Sequence, residues 1–343
     1  MPSRPKKKSG AKKWGRNSPW FIGIAGGLIG AFLVGVVLFY FFGHREKEIY
    51  RAISVASINS ADSLLEKNMV EDALAIYNAA ASRVLAKRDP ELYATVKNSE
   101  GVCHYKLALV RDKEAHLLKA FKAFEEALKI RTMDKYPAEY ATTQNNLGNA
   151  YRTLSEVKDK EENLKKAFEA FEKALKVYTR KQYPAGYAAT QNNLGVAYGT
   201  LSEVMEKEKN LGKAVTAFQE ALKIRTFEKH PLGYATTQNN LGNTYSALAE
   251  VKDKTGSLFK AVKAFKEALK VYTLNEYPLD YAATQNNLGN AYSALAEVKD
   301  KEANLTKTVR AFEESLKVYT LGRYPSQFKM VTSNMEKAKK KMR

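Results

Sequence analysis

Two adjacent asparagines recur four times in this sequence, always inside the phrase TQNNLG, which begins at Thr143 and returns every 47 residues. A side-chain amide offers one acceptor oxygen and two N–H donors, so it can pair with a backbone C=O and a backbone N–H at the same time. Asparagine is also a poor helix former, roughly half a kcal/mol worse than alanine. Because the chain keeps these pairs in a helical pattern, we expect the amides to form hydrogen bonds that offset this cost.

Six prolines divide the chain into units of 47 residues and thereby place the amides. They are Pro90, Pro137, Pro184, Pro231, Pro278 and Pro325. Proline suits the first turn of a helix, because its missing N–H would have no intrahelical partner there. The helix formers cluster in long runs without an alternation of period two, which predicts an all-α fold. In the unit that begins at Pro137, we expect helix A over 138–157 and helix B over 164–179, joined by the polar turn KDKEEN.

Small and aromatic residues stand at fixed spacing on both helices of a unit. In the unit of Pro137 they are Leu147, Gly148 and Tyr151 on helix A, and Ala167, Phe171 and Ala174 on helix B. The set returns in the next units, although the last one has Thr308 and Ser315 in place of two alanines. This pattern resembles the tetratricopeptide repeat, whose usual unit is shorter, about 34 residues. The long unit and its Asn-Asn-Leu string resemble the kinesin-light-chain-like subset of that family and long-repeat arrays in bacteria.

The resemblance implies a right-handed α-solenoid of helical hairpins over most of the chain. We expect a degenerate hairpin at residues 44–88 and five repeats over 89–324. A basic helix at 325–343 would cover the open end of the array, as such arrays require for solubility. Before the repeats, we expect a basic tail at 1–17 and a transmembrane helix at 18–43.

The transmembrane prediction depends on residues 20–42, an uncharged apolar run of 23 residues. As a helix, this run would be about 34 Å long and would cross a hydrocarbon core of about 30 Å. A cleaved signal peptide is the alternative, but its apolar core would be shorter and a small-residue cleavage site would follow it. We therefore expect a single-pass membrane anchor.

The charges beside this run predict its orientation. Residues 1–17 contain seven lysines and arginines and no acidic residue. The positive-inside rule then keeps the N-terminus in the cytoplasm and places the repeats outside, in the periplasm if the cell is bacterial. Small residues that recur every four positions would let two such helices pack closely, although membrane helices are rich in glycine in any case. These residues are Gly23, Gly27, Ala31 and Gly35, and they leave open whether the chain forms a homo-oligomer.

A helical wheel places the first asparagine of each pair opposite the packed side of helix A. In the family that the sequence resembles, the first helices line a concave groove that holds extended peptides, and the resemblance implies the same use here. The expected binding row consists of Asn98, Asn145, Asn192, Asn239 and Asn286, with a second row at Asn149, Asn243 and Asn290. Arg152 lies on the same face and would add side-chain specificity.

Asparagine can also hydrogen-bond an adjacent helix, so the sequence leaves open whether the first row binds a ligand or stabilises the repeats. Asn146 and its equivalents fall closer to the seam between units, and we expect them to bond to neighbouring helices or loops. The tyrosines at the unit boundaries, such as Tyr140 and Tyr187, are expected to pack there rather than to stack on a ligand.

Several function classes receive no support from the sequence. The formal net charge is +19, but much of the excess lies in the two terminal clusters, and no basic stripe studded with aromatic residues indicates nucleic-acid binding. Cys103 is the only cysteine, so neither an intrachain disulfide nor a cysteine-rich zinc site can form. The four histidines share no metal-ligand spacing, and glycine-rich phosphate loops are missing. We expect no catalysis, no metal and no cofactor.

The sequence therefore predicts a membrane-tethered adaptor that binds peptide segments or partner proteins in the groove of its repeats. One alternative is a structural scaffold that self-assembles through the membrane helix or the ends of the array. Another is a peptide-sensing regulator, which would require a signalling domain that the sequence does not show.

Overall fold

The computed structural model describes residues 46–83 and 89–342, which divide into two compact units between Leu92 and Tyr93. The predicted transmembrane run and its small residues Gly23, Gly27, Ala31 and Gly35 lie outside the described residues. Among the helices that are described, none combines the length and the apolar character needed to cross a membrane. The described residues form helices and turns without a β-strand, so the predicted all-α fold is confirmed.

The first unit contains α1 (Glu46–Glu66) and α2 (Val70–Arg83), which pack against each other. Asn68 adopts a left-handed backbone at φ 61° in the turn between them, a conformation that asparagine tolerates better than most residues. Ala61, Ala73 and Tyr77 are fully buried, and the Tyr77 hydroxyl donates a hydrogen bond to Asp62. The described residues of the segment 44–88 thus form one helical hairpin.

Five hairpins and a final helix make up the rest of the described chain. The first helix of each hairpin, helix A, begins at one of the periodic prolines, and the second, helix B, packs beside it. The helices are α3 (Pro90–Ala108), α4 (Lys113–Leu128), α5 (Pro137–Leu154), α6 (Lys160–Leu175), α7 (Pro184–Leu201), α8 (Lys207–Leu222), α9 (Pro231–Leu248), α10 (Lys254–Ala268), α11 (Pro278–Leu295), α12 (Lys301–Leu316) and α13 (Pro325–Met342). Successive A helices from α5 to α13 also contact each other, and this seam between A helices positions the asparagines.

Helix B begins four residues earlier than the sequence predicted, at Lys160 instead of residue 164, and it ends at Leu175. Asp159 adopts a left-handed backbone at φ 39°, which ends the A–B turn abruptly and lets Lys160 start the helix. Asn163 fixes this geometry, because its Nδ2 donates to the Lys158 carbonyl at 2.8 Å. The residues KEEN, predicted as turn, therefore form the first helical turn.

A phenylalanine of helix B fills the centre of each hairpin. The five residues are Phe124, Phe171, Phe218, Phe265 and Phe312, all at most 1% exposed. Each ring lies against a glycine of helix A, and in the second hairpin an ideal Cβ on Gly148 would stand 2.6 Å from the Phe171 ring. The leucine-glycine pair of the repeat is thus a requirement of close packing, since no side chain fits between this backbone and the ring.

Lysine–glutamate pairs connect the A–B turns of successive hairpins. Lys113 contacts Glu156 at 2.7 Å and Lys160 contacts Glu203 at 2.6 Å, and two further pairs follow at the same spacing. Lys341 of the final helix contacts Glu297 at 3.1 Å, so α13 is held on the last hairpin by the same kind of pair. Exposed pairs of this type contribute about 0–1 kcal/mol each. They set the register of the stack more than its stability.

Candidate functional site

Charged residues are divided unequally between the two helices of a hairpin. α7 and α9 contain no charged residue, and α11 contains only Asp280. In contrast, α6 contains four lysines and four glutamates. The surface formed by the A helices is therefore built mainly of amides, hydroxyls and small side chains.

The solvent-facing positions of helix A form one stripe. In α5 they are Thr142, Asn145, Asn149 and Arg152, none of which is buried, and we call these positions and their equivalents the A-helix stripe. Their spacing of three, four and three residues keeps them on one side of a helix. The stripe contains all the asparagines that the sequence predicted as a binding surface.

The first predicted row lies deeper in this stripe than the second. Asn98, Asn145 and Asn239 are partly buried, whereas Asn192 and Asn286 are only 7% exposed. These amides sit where one A helix meets the next. Their position makes hydrogen bonds between helices available to them before any ligand is present.

The first row indeed accepts hydrogen bonds from the following A helix. Nδ2 of Asn146 donates to Oδ1 of Asn98 at 3.2 Å, and Nδ2 of Asn193 donates to Oδ1 of Asn145 at 3.1 Å. The second asparagine of each pair thus has the interhelical role that the sequence predicted for it. The sequence left open whether the first row binds a ligand or stabilises the repeats. The structure shows hydrogen bonds of the second kind, between neighbouring A helices.

A threonine joins these contacts in the later repeats. Asn192 accepts from Thr237 at 3.1 Å and from Asn240 at 3.4 Å. In the next seam Asn239 accepts from Thr284 at 3.2 Å, while Asn287 donates instead to Asn243 at 3.1 Å. The threonine of the TQNN phrase therefore belongs to the seam between A helices. We did not single out this threonine from the sequence.

The last rung of the row, Asn286, lacks the donor that the earlier rungs have. Val331 stands at the register of Thr284 in the final helix, and valine has no hydroxyl to offer. Asn334 stands at the register of Asn287, but the buried Oδ1 of Asn286 has no hydrogen-bond partner within the described residues. A buried acceptor without a partner costs about 1–3 kcal/mol, and because this oxygen is buried, a ligand would reach it only after the neighbouring side chains moved.

The second predicted row faces solvent more openly. Asn149 is partly buried, whereas Asn243 and Asn290 are exposed. Arg152, predicted to provide specificity, pairs with Glu156 at 3.1 Å and also donates to Thr153. Beside the second row, the buried Oγ of Ser246 has no hydrogen-bond partner in the described part of the chain. The unsatisfied and exposed polar groups of the stripe thus concentrate on α9 and α11.

A lysine of helix B lies over a helix A tyrosine in four hairpins, a feature that we did not predict. The ammonium groups stand 5.2–5.9 Å from the ring centroids of Tyr151, Tyr198, Tyr245 and Tyr292. The recurrence of both residues every 47 positions was the signal available in the sequence. These cation–π contacts occupy one face of each tyrosine ring within its hairpin.

The first hairpin replaces this arrangement with two histidines. His104 stands at the register of Tyr151, His116 stands at that of Asn163, and their Nδ1 atoms are 3.2 Å apart. Burial, together with the charges of the nearby His116 and Lys119, lowers the pKa of His104 to about 4. In neutral solution the pair can share one proton along the N···N contact, but a second proton would place two donors face to face.

This pair predicts an acid-sensitive first hairpin. The folded-state pKa of His104 lies below the ordinary histidine value of about 6.5, so the unfolded chain takes up the proton first as the pH falls. Stability should be unaffected above about pH 6.5 and should decline from there toward pH 4, by roughly a few degrees in thermal midpoint. Calorimetry of the chain and of a His104→Tyr, His116→Asn variant between pH 7.5 and 5 measures this.

The double variant restores the residues of the next hairpin and should lose the pH dependence in this window. The carboxylates whose pKa is lowered by lysines, such as Glu156 with Lys113, lose their contribution only below about pH 4.5 and do not interfere. Equal slopes of stability against pH for the two proteins would contradict the prediction.

Within the described ranges, no three histidine, cysteine or acidic side chains lie together as potential metal ligands.

The comparisons with known proteins agree with this architecture. Residues 141–180 match the sequence model of the tetratricopeptide repeat. No curated protein matches the sequence. A chain of the APC/C hetero-tetramer Cut9–Hcn1 is 16% identical with a TM-score of 0.56, and the alignment covers 90% of this chain but only 46% of that chain.

Two other solved structures are similar over most of their own length. BtubC (BKLC) from P. vanneervenii is 22% identical with a TM-score of 0.53, covering 74% of this chain and 91% of that chain. PilW, a type IV pilus biogenesis factor, is 18% identical with a TM-score of 0.54, covering 82% and 98%. Residues 141–180 therefore match a tetratricopeptide repeat, and the described chain has a tetratricopeptide-like helical repeat fold.

Proposed function

We propose that this protein is a non-catalytic adaptor whose A-helix stripe binds an extended segment of a partner protein. The observation that carries the proposal is the unused hydrogen-bonding capacity of the stripe on α9 and α11. Asn243 and Asn290 are exposed there. The Oδ1 of Asn243 accepts from Asn287, which leaves the Nδ2 of Asn243 and the Asn290 amide facing solvent. The Oδ1 of Asn286 and the Oγ of Ser246, which have no hydrogen-bond partner in the described chain, are buried beside them. An extended backbone offers donors and acceptors in the form that such groups can bind.

The repeat spacing suits this ligand. Packed helices lie about 8–10 Å apart, and an extended strand advances about 3.3 Å per residue. One asparagine of the second row would therefore meet about every third residue of the ligand. Because α7 and α9 have no charge and α11 has one, we expect recognition to depend on the backbone and on small or uncharged side chains.

The membrane tether forms the second part of the proposal. The apolar run at residues 20–42 and the seven basic residues before it support a single-pass anchor with the N-terminus in the cytoplasm. The repeats would then present the stripe on the far side of the membrane. Carbonate extraction of membranes and protease accessibility of the repeats test these two points, and a chain released by carbonate or shielded from external protease would contradict them.

Site-specific photo-crosslinking tests the binding surface. A photoreactive residue at Asn290 on the stripe is compared with one at Lys263, an exposed position on helix B of the preceding hairpin. We expect covalent partner adducts from Asn290 and few from Lys263. Asn243→Ala should reduce the Asn290 adducts about fivefold, because it removes one amide next to the crosslinker.

The adduct is identified by mass spectrometry, and the crosslinked partner peptide is mapped. The proposal is supported if the crosslinked peptide comes from an extended segment of the partner protein. Equal adduct yields from the two positions, or yields that Asn243→Ala leaves unchanged, would contradict it.

A further inference from the structure

The two edges of the repeat stack carry opposite charge. All A–B turns lie at one edge because every hairpin has the same polarity, and the connections from helix B to the next helix A lie at the other. The five B–A connections (129–136, 176–183, 223–230, 269–277 and 317–324) contain twelve lysines and arginines and three acidic residues. The five A–B turns (109–112, 155–159, 202–206, 249–253 and 296–300) contain four basic and nine acidic residues.

Most basic side chains of the basic edge are available to bind a partner. Lys223, Lys270 and Lys317 pair with glutamates of the helix before them. Seven other basic residues of these connections are exposed and form no ion pair within the described residues: Lys129, Lys135, Lys176, Arg180, Lys181, Lys229 and Arg323. In contrast, four glutamates of the acidic edge are paired with lysines of the preceding hairpin.

Each edge also exposes one large side chain per hairpin at a fixed turn position. On the basic edge these are Met133, Arg180, Phe227, Leu274 and Leu321, and the four apolar ones are 38–56% exposed. On the acidic edge they are Val110, Val157, Val204, Val251 and Val298, 41–79% exposed. The edges thus match in apolar exposure and differ in the charges around it.

We propose that the basic edge of the repeat stack contacts an anionic lipid surface. Basic side chains near a membrane are attracted by its negative surface potential, and apolar side chains beside them can enter the boundary between headgroups and acyl chains. The apolar side chains of the basic edge would therefore add hydrophobic contact to the electrostatic attraction. The opposite edge exposes valines equally, but its glutamates engage lysines in ion pairs, so it offers anionic lipids less free positive charge.

This inference concerns residues 129–324 and does not depend on the groove or on the apolar run at 20–42. A polarity-sensitive fluorophore on Leu321→Cys in the full chain is compared with the same label on Val298→Cys at the opposite edge, since native Cys103 is buried and unreactive toward the label. The probes are vesicles of phosphatidylcholine alone or with about one third phosphatidylglycerol, with or without a nitroxide lipid that quenches by contact.

With phosphatidylglycerol, the label at residue 321 should shift to the blue and lose at least about half of its emission to the nitroxide lipid. The label at residue 298 should remain unquenched. Salt at about 0.5 M should abolish the effect, because screening shortens the reach of surface charge to a few ångströms. Arg323→Glu should weaken the quenching at residue 321, whether or not the apolar run at 20–42 also inserts into the vesicles.

Equal quenching of the two labels, or none at residue 321, would overturn the inference. A blue shift at residue 321 that rises with protein concentration without lipid would also overturn it, because a second copy of the chain would then occupy this edge.

Discussion

Gly148→Ala should destabilise the repeats by about 2 kcal/mol, which is unusual for the addition of one methyl group. The new Cβ would stand 2.6 Å from Cε1 of Phe171, a ring that is fully buried and cannot swing aside. Helix A and helix B would have to separate, or the ring would have to leave its rotamer. The midpoint of urea unfolding followed by circular dichroism measures the effect.

Gly199→Ala is the matched control for this prediction. Gly199 also lies inside a helix A, but nothing stands within 4 Å of a Cβ placed there. Alanine should therefore stabilise the chain by about 0.5–1 kcal/mol through helix propensity alone. The two variants should move the unfolding midpoint in opposite directions, and a stabilising Gly148→Ala would show that the hairpins are not packed as described.

Asn192→Ala should have the largest effect among the asparagine substitutions, a loss of about 1–2 kcal/mol. Asn192 is 7% exposed and accepts hydrogen bonds from Thr237 and Asn240, so alanine removes the shared acceptor from two groups of the next helix. The better helix propensity of alanine offsets roughly 0.5 kcal/mol of this loss. Urea unfolding measures the net change.

Asn290→Ala is the control that separates the stability lost with the seam hydrogen bonds from the stability gained through helix propensity. Asn290 is exposed on the same face of α11, and alanine there should leave stability unchanged or raise it by about 0.5 kcal/mol. Because the change of residue type is identical, the difference between the two variants reports the seam contacts. Equal stabilities would mean that the first row does not hold the A helices together.

The helical repeat was predictable from the sequence because its signals are periodic and local. Prolines at N-termini, the glycine opposite a phenylalanine and the apolar faces recur together, and each of them has a packing reason in the structure. The start of helix B was misplaced because Asp159 ends its turn in a left-handed conformation. Polar composition alone made the residues after it resemble a longer turn.

The hydrogen-bond partners of the asparagines were harder to predict than the face of helix A on which these residues lie. A helical wheel gives the direction of Asn145 but does not show that Asn193 of the next hairpin reaches its oxygen. Such contacts depend on the offset between two A helices, which the sequence of one hairpin does not contain. Alignment by register shows that Val331 replaces the threonine donor beside Asn286, but it also places Asn334 at the position of the asparagine donor, so register alone does not identify the exception.

The most direct test of the proposed function is an affinity measurement with the second row removed. Peptides of about twelve residues are selected against the full chain, and the tightest is titrated by fluorescence anisotropy into the wild type and an Asn243→Ala, Asn290→Ala variant. Loss of two exposed amides that bind backbone should raise the Kd about tenfold or more, while the unfolding midpoint falls only by the loss of the Asn287–Asn243 hydrogen bond. An unchanged Kd in a fully folded variant would show that the A-helix stripe does not hold the peptide.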